Sequence, residues 1–186
     1  LAIERLRAED TTATALQSGL ALGLAFFVKQ SIALVAAPVW IVLLLVSRPR
    51  AYAAALGTGF LVFAGVAFLQ WESEGWFLYY TFTVPRGHPT EMAQILGFWT
   101  SDIGVNFGLV LVAIGVHQVS CLRADARAEQ WFWPALVLGA LASSWSVRSL
   151  VGAHLNNLFP VFTVLSLAVA LAVHATRNRI RNILLL

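Results

Sequence analysis

Long apolar stretches make up most of the chain, and short polar groups separate them. Six of these stretches have helical length, and none shows the strict alternation of a barrel strand. Because a helix satisfies its own backbone polar groups, the pattern predicts an α-helical bundle that spans a membrane. The predicted helical segments are residues 12–28, 31–46, 51–70, 103–120, 131–145 and 158–174.

Lys29 interrupts the first apolar stretch, which runs from residue 11 to residue 46. About 20 apolar residues cross a bilayer core, so a stretch of this length fits two short crossings better than one. Lys29 and Gln30 then form the tip between two helices at one membrane face. An ionisable residue at membrane depth is by default a functional hypothesis.

The distribution of Arg and Lys supports the same threading. Hydrophobic residues make up 59% of the chain and charged residues 11%, which indicates a polytopic membrane protein rather than a soluble domain. When the segments alternate, nine basic residues fall on one face, and only Lys29, Arg86 and Arg148 fall on the other. Positive loop ends are typically cytoplasmic, so both termini are predicted to be cytoplasmic. The expected fold class is an all-α transmembrane bundle of about six spans, with residues 1–186 forming a single domain.

The connection over residues 71–102 is the longest predicted to face the extracytoplasmic side. Its aromatic part, residues 76–84, is too short to span and predicts a helix lying in the membrane interface. Pro85, Gly87 and Pro89 then predict an irregular loop that displays Arg86 and His88. A solvated loop with an aromatic anchor is the alternative interpretation.

A second extracytoplasmic turn runs from residue 148 to residue 157. Gly152 permits close approach of the backbone, and Asn156 and Asn157 offer amide groups at the membrane surface. Asn157 fits either a helix cap or a ligand contact, whereas Asn156 is expected to face a cavity.

The three extracytoplasmic cations suggest a pocket for a phosphate or pyrophosphate group, since Arg supplies a planar fork and Lys a point charge. Local pairing with carboxylates is the alternative, because Glu72, Glu74, Glu91 and Asp102 are predicted on the same face. The candidate substrate-binding residues are Lys29, Gln30, Arg86, His88, Arg148 and Asn156.

Other chemistry finds little support in the sequence. The basic residues are scattered over short turns, which argues against nucleic-acid binding. The motifs of zinc proteases, serine hydrolases and nucleotide-binding loops are absent from the sequence, as is a paired-cysteine motif. No cofactor is indicated; a divalent cation stays open, although no ligand cluster is evident.

Residues 19–30, Gly-Leu-Ala-Leu-Gly-Leu-Ala-Phe-Phe-Val-Lys-Gln, precede an apolar helix and Ser47-Arg48-Pro49-Arg50. This arrangement resembles bacterial GT-C membrane glycosyltransferases, the glycosyltransferase family 39-like relatives of protein mannosyltransferases and aminoarabinose lipid A transferases. Residues 77–88 and 152–160 are similar to later elements of such proteins. Val28 stands where the family has Thr.

The resemblance implies inverting transfer of a sugar from a polyprenyl-phosphate donor to an acceptor at the extracytoplasmic face of a bacterial-type inner membrane. It places Lys29 at the donor phosphate. It also implies a catalytic carboxylate in an extracytoplasmic loop, which is expected upstream of these residues in a longer protein. The expected partners are the donor and membrane lipid, with the oligomeric state open. Alternatives are a segment of a transporter or flippase for an anionic or lipid-linked solute, and a non-catalytic membrane scaffold.

Overall fold

A computed structural model describes residues 11–123 and 131–170, and these residues form helices joined by turns. We number the helices α1 to α7 in chain order. Helix α4 contains a π-helical turn at Tyr79–Thr83, and α5 contains a longer one at Phe98–Val105. Five helices contain no π-helical turn: Thr12–Val28 is α1, Ile32–Val46 is α2, Arg48–Glu72 is α3, Phe132–Arg148 is α6 and Leu155–Ala170 is α7. Helix α4 consists of Trp76–Leu78, its π-helical turn and Val84–Arg86. Helix α5 consists of Met92–Gly97, its π-helical turn and Asn106–Arg123.

The predicted all-α fold class is confirmed, and each predicted segment coincides with a helix over most of its described length. The predicted count of six spans is not supported by helix length. Within the described residues, only Arg48–Glu72 and Met92–Gly115 are long and apolar enough to cross a membrane. Helices α1 and α2 have 17 and 15 residues, because the chain turns between them. Most of the basic residues assigned to the cytoplasmic face lie outside the described residues.

The predicted break at Lys29 is confirmed. Helix α1 begins after Thr11, whose side chain accepts a hydrogen bond from the Thr14 N–H and so caps the first turn. It ends at Lys29, where the backbone is extended, with φ −156° and ψ 116°. A single turn through Gln30 and Ser31 then leads into α2.

Helices α1 and α3 run parallel in close contact because glycines remove side chains from both surfaces. An ideal Cβ on Gly19 would lie 2.8 Å from Ala54 Cα, and one on Gly65 would overlap the ring of Phe27. The Thr58 hydroxyl donates to the carbonyl oxygens of Gly19 and Ala54 at 2.8 and 2.9 Å. Small residues on both helices therefore allow the two backbones to approach closely.

The described residues form two hydrophobic cores. The first joins α1, α2 and α3 and includes Phe132 and Leu136 of α6, whereas the second joins α5, α6 and α7 around Phe98 and Leu165. Helices α2 and α6 pack together where the cores meet. An ideal Cβ on Gly139 would lie 2.6 Å from the Val35 carbonyl oxygen, so this helix pair also depends on a glycine.

Candidate functional site

Three connections meet at one end of the bundle: the α1–α2 tip, the α3–α5 connection and the α6–α7 turn. The parallel packing of α1 on α3 puts Lys29 and Glu72 at the same end. A hydrogen bond from Lys29 to Asn157 adds the start of α7 to this end. An ion pair between Arg148 and Asp102 adds α5. The three cations singled out in the sequence therefore share one end of the molecule.

Lys29 reaches across to the last described helix. Its Nζ donates to Asn157 Oδ1 at 2.9 Å, which joins residues 128 positions apart. Lys29 is half-buried, and this burial lowers the pKa of its ammonium group from the ordinary value of 10.5. The Asn157 side chain is thus engaged by Lys29, and no described side chain caps the start of the Leu155–Leu158 turn.

The two other amides predicted around Lys29 differ in exposure. Gln30 is half-buried beside Lys29 in the α1–α2 turn, whereas Asn156 is exposed. Sequence reasoning ranked Asn156 above Asn157 as a cavity residue, but it is Asn157 that contacts the cation. Adjacent residues point in different directions on a helical turn, so composition alone does not distinguish them.

Arg148, the last residue of α6, is held by two side chains of α5. Its Nε donates to Asp102 Oδ2 at 2.9 Å, and its Nη1 donates to Gln94 Oε1. The side chains of Arg148 and Asp102 are only 16% and 13% exposed. For Arg148, the carboxylate pairing considered from the sequence is the arrangement observed. The sequence pattern does not single out Gln94.

Arg86 and His88 project from the connection between α4 and α5. Arg86 is the last residue of α4, and both side chains are exposed. The backbone beside them is fixed, because the Val151 N–H donates to the Pro89 carbonyl oxygen at 2.9 Å and the Glu91 N–H to the Ser149 carbonyl oxygen at 3.0 Å. The 87–91 loop is therefore bonded directly to the α6–α7 turn.

The charge at this end is mixed. Glu72, Glu74 and Glu91 are exposed, whereas the Asp102 carboxylate is engaged by Arg148. Among the described residues, none of the three exposed carboxylates forms an ion pair. Of the three cations at this end, Arg86 is therefore exposed, whereas Lys29 and Arg148 are half-buried and only Arg148 is paired with a described carboxylate.

A cleft of about 310 Å³ lies among α1, α2 and α3, and its lining contains no charged residue. Its wall is apolar apart from Thr58, whose hydroxyl is already bonded to two carbonyl groups. Trp40 also lines it, and its buried indole N–H has no hydrogen-bond partner among the residues that the structure describes. The cleft is lined by Leu22, Phe26, Ile32, Ala33, Ala36, Trp40, Ala55, Thr58, Gly59 and Val62, so none of the candidate site residues contributes to its wall.

Metal chemistry has no evident location in the part of the chain that the structure describes, since no three His, Cys, Asp or Glu side chains group together there. In comparisons with known proteins, no family model, no curated protein and no solved structure matches the chain. The charges at one end of the bundle are therefore the structural feature that bears on function.

Proposed function

We propose that the chain is part of a membrane glycosyltransferase that moves a sugar from a polyprenyl-phosphate donor to an acceptor at the extracytoplasmic face. The observation that carries the proposal is the contact of Lys29 with Asn157. It places a half-buried ammonium group at the end of the bundle where Arg86 and His88 are exposed. The described partner of Lys29 is a neutral amide, so no described carboxylate competes with an anionic ligand for this cation.

The roles follow from the charges. In inverting transfer, a base activates the acceptor hydroxyl, and positive charge stabilises the phosphate that departs from the sugar. Lys29 supplies this charge, and Asn157 and Gln30 orient it. Arg86 and His88 contact the outer oxygens of the phosphate or a sugar hydroxyl. The base comes from outside these residues, as the family resemblance implies.

The proposal also includes a membrane placement. The six helical segments cross a bacterial-type inner membrane, and both termini lie in the cytoplasm. The shorter helices cross with help from tilt and local thinning of the bilayer. Helix α4 lies in the outer interface, where its exposed Trp76, Tyr79 and Tyr80 suit the headgroup region. None of its residues is buried in the protein, which leaves its aromatic surface for lipid.

Binding of a short isoprenoid phosphate tests the proposed phosphate site. The detergent-solubilised protein is titrated with farnesyl phosphate and, in parallel, with farnesol, with tryptophan fluorescence as the readout. We expect a clear preference for the phosphate and at least about a tenfold loss of affinity in Lys29→Ala, equivalent to about 1.4 kcal/mol. In the full-length protein, the same substitution should abolish release of polyprenyl phosphate from a polyprenyl-phosphate sugar.

Arg48→Ala is the matched control, because Arg48 is an exposed cation at the opposite end of the bundle. It should bind farnesyl phosphate like the wild type. Equal affinity of Lys29→Ala and the wild type, or equal binding of farnesol and farnesyl phosphate, would contradict the proposal. Phosphate binding without any cleavage of the sugar donor by the full-length protein would favour the transporter alternative.

A further inference from the structure

Arg148 and its partners join the end of α6 to the start of α5, and backbone hydrogen bonds join the same two regions. The guanidinium group joins the end of α6 to Gln94 and Asp102 of α5. One residue after Arg148, the Ser149 carbonyl oxygen accepts from the Glu91 N–H. Side-chain and backbone contacts therefore hold the start of α5 and the α6–α7 turn together at adjacent positions.

The π-helical turn of α5 brings both partners to Arg148. Gln94 and Asp102 are eight residues apart, which in a regular α-helix is about 2.2 turns, so their side chains would diverge by about 80°. The π-helical segment Phe98–Val105 contains Asp102. Its i→i+5 pattern holds more residues in each turn and rotates Asp102 back toward Gln94. A single guanidinium group can then bond both side chains.

The contacts of Arg148 also affect the 87–91 loop. Pro89 and Glu91 are bonded to Val151 and Ser149, and Arg86 and His88 lie at or just before this bridge. The residues that form these two backbone hydrogen bonds are exposed, apart from Ser149, so water can compete for the bonds. The partly buried ion pair beside them should exclude this water. Loss of the ion pair should therefore free the loop without removing any residue from it.

We propose that Arg148 is a positioning residue, acting through Asp102 and Gln94 to fix the loop that carries Arg86 and His88. The role of that loop in binding phosphate rests on the proposed function. The positioning of the loop by Arg148 does not rest on the proposed function, because the loop is measured without any ligand.

Amide hydrogen exchange of the detergent-solubilised protein tests this assignment. The readout is protection of the Glu91 and Val151 amides, whose hydrogen bonds form the bridge. We expect about a tenfold faster exchange at these two amides in Asp102→Asn and Arg148→Gln, with the amides of α1 and α3 unchanged. Arg148→Lys should be intermediate, because a single ammonium group does not reproduce the planar fork.

Glu91→Gln is the matched control: it also removes a negative charge at this end, but the Glu91 side chain is exposed and forms no ion pair with Arg148. It should keep the wild-type exchange pattern. Unchanged protection in both Asp102→Asn and Arg148→Gln would overturn the assignment, as would equal acceleration in Glu91→Gln. If the first two variants fail to fold, Gln94→Ala removes only one of the two contacts, and the same two amides must exchange faster.

A second arm separates this assignment from the proposed function. Farnesyl phosphate is titrated into Asp102→Asn after its exchange pattern is known. Faster exchange with several-fold weaker binding supports both proposals. Faster exchange with wild-type binding keeps the positioning role of Arg148 and removes Arg86 and His88 from the phosphate site.

Discussion

Lys29 and Arg148 look alike in the sequence, since each is a lone cation between apolar segments, yet their surroundings differ. Arg148 meets a carboxylate and an amide on α5 and is satisfied by them. Lys29 meets only a neutral amide among the described residues. A partly buried ammonium group without a carboxylate is costly to keep charged. Of the two, Lys29 is therefore the cation better suited to an anionic ligand.

The lowered pKa of Lys29 gives a prediction for stability against pH. Between this lowered value and 10.5, the unfolded chain binds more protons at Lys29 than the folded protein does. The free energy of unfolding should therefore rise with pH across that window, relative to Lys29→Met. Thermal unfolding of both proteins in detergent from about pH 8 to about pH 10.5 measures the difference. A difference that falls as pH rises would contradict the burial of Lys29.

The residue contacts of the site were only partly predictable. The sequence pattern located Lys29 at a helical tip, because apolar length and charge distribution both required a turn there. It did not predict the bond to Asn157, since the partner lies 128 positions away and depends on how α7 packs. Asp102 was among four candidate carboxylates for pairing, and only the fold distinguishes it from the exposed Glu91.

At the scale of elements, helix α5 shows where the hydrophobic pattern fails. The predicted segment begins at residue 103, but the helix begins at Met92. Polar residues in this first part, including Gln94 and Asp102, interrupt the apolar pattern. Their side chains bond to Arg148, and the pattern does not show this contact. The pattern also gave no indication of the π-helical turn at Phe98–Val105.

Helix pairing in this bundle predicts a graded response to added methyl groups. Gly19→Ala and Gly139→Ala place a Cβ against backbone atoms of a neighbouring helix, and each should destabilise the protein by about 1–3 kcal/mol. Gly59→Ala is the control, because its added Cβ has no neighbour within 4 Å. It should be neutral or stabilise by up to about 1 kcal/mol through helix propensity.

Chemical unfolding of the three variants in detergent measures these changes. The two close-packed positions should both lie well below Gly59→Ala in free energy of unfolding. Equal stability of Gly19→Ala and Gly59→Ala would mean that α1 and α3 are further apart than described.

On the scale of the whole molecule, the two cores meet mainly through α2 and α6. The all-helical architecture followed from the sequence because each apolar segment is long enough to form a helix. The division into two cores did not, since every helix is apolar and the pattern does not show which faces meet. Backbone contacts such as those around Gly139 determine that arrangement.

The proposed threading predicts which residues share a membrane face. In a Cys121→Ser background, single cysteines at His88, His154 and Arg48 occupy exposed positions, and Cys121 is the only native cysteine. We expect an impermeant maleimide to label the first two from one side of sealed vesicles and the third from the other. Labelling of the Arg48 and His88 positions from the same side would contradict the six-span threading.

The separation of Lys29 and Asn157 along the chain also sets a delay between the synthesis of these two residues. Ribosomes add about 5–20 residues per second, so about 6–26 seconds pass between the synthesis of these two residues. Throughout that interval α1 and α2 can already pair, while the amide that will accept from Lys29 does not yet exist. In a nascent molecule the Lys29 ammonium group therefore remains without its Asn157 partner until the start of helix α7 has been made.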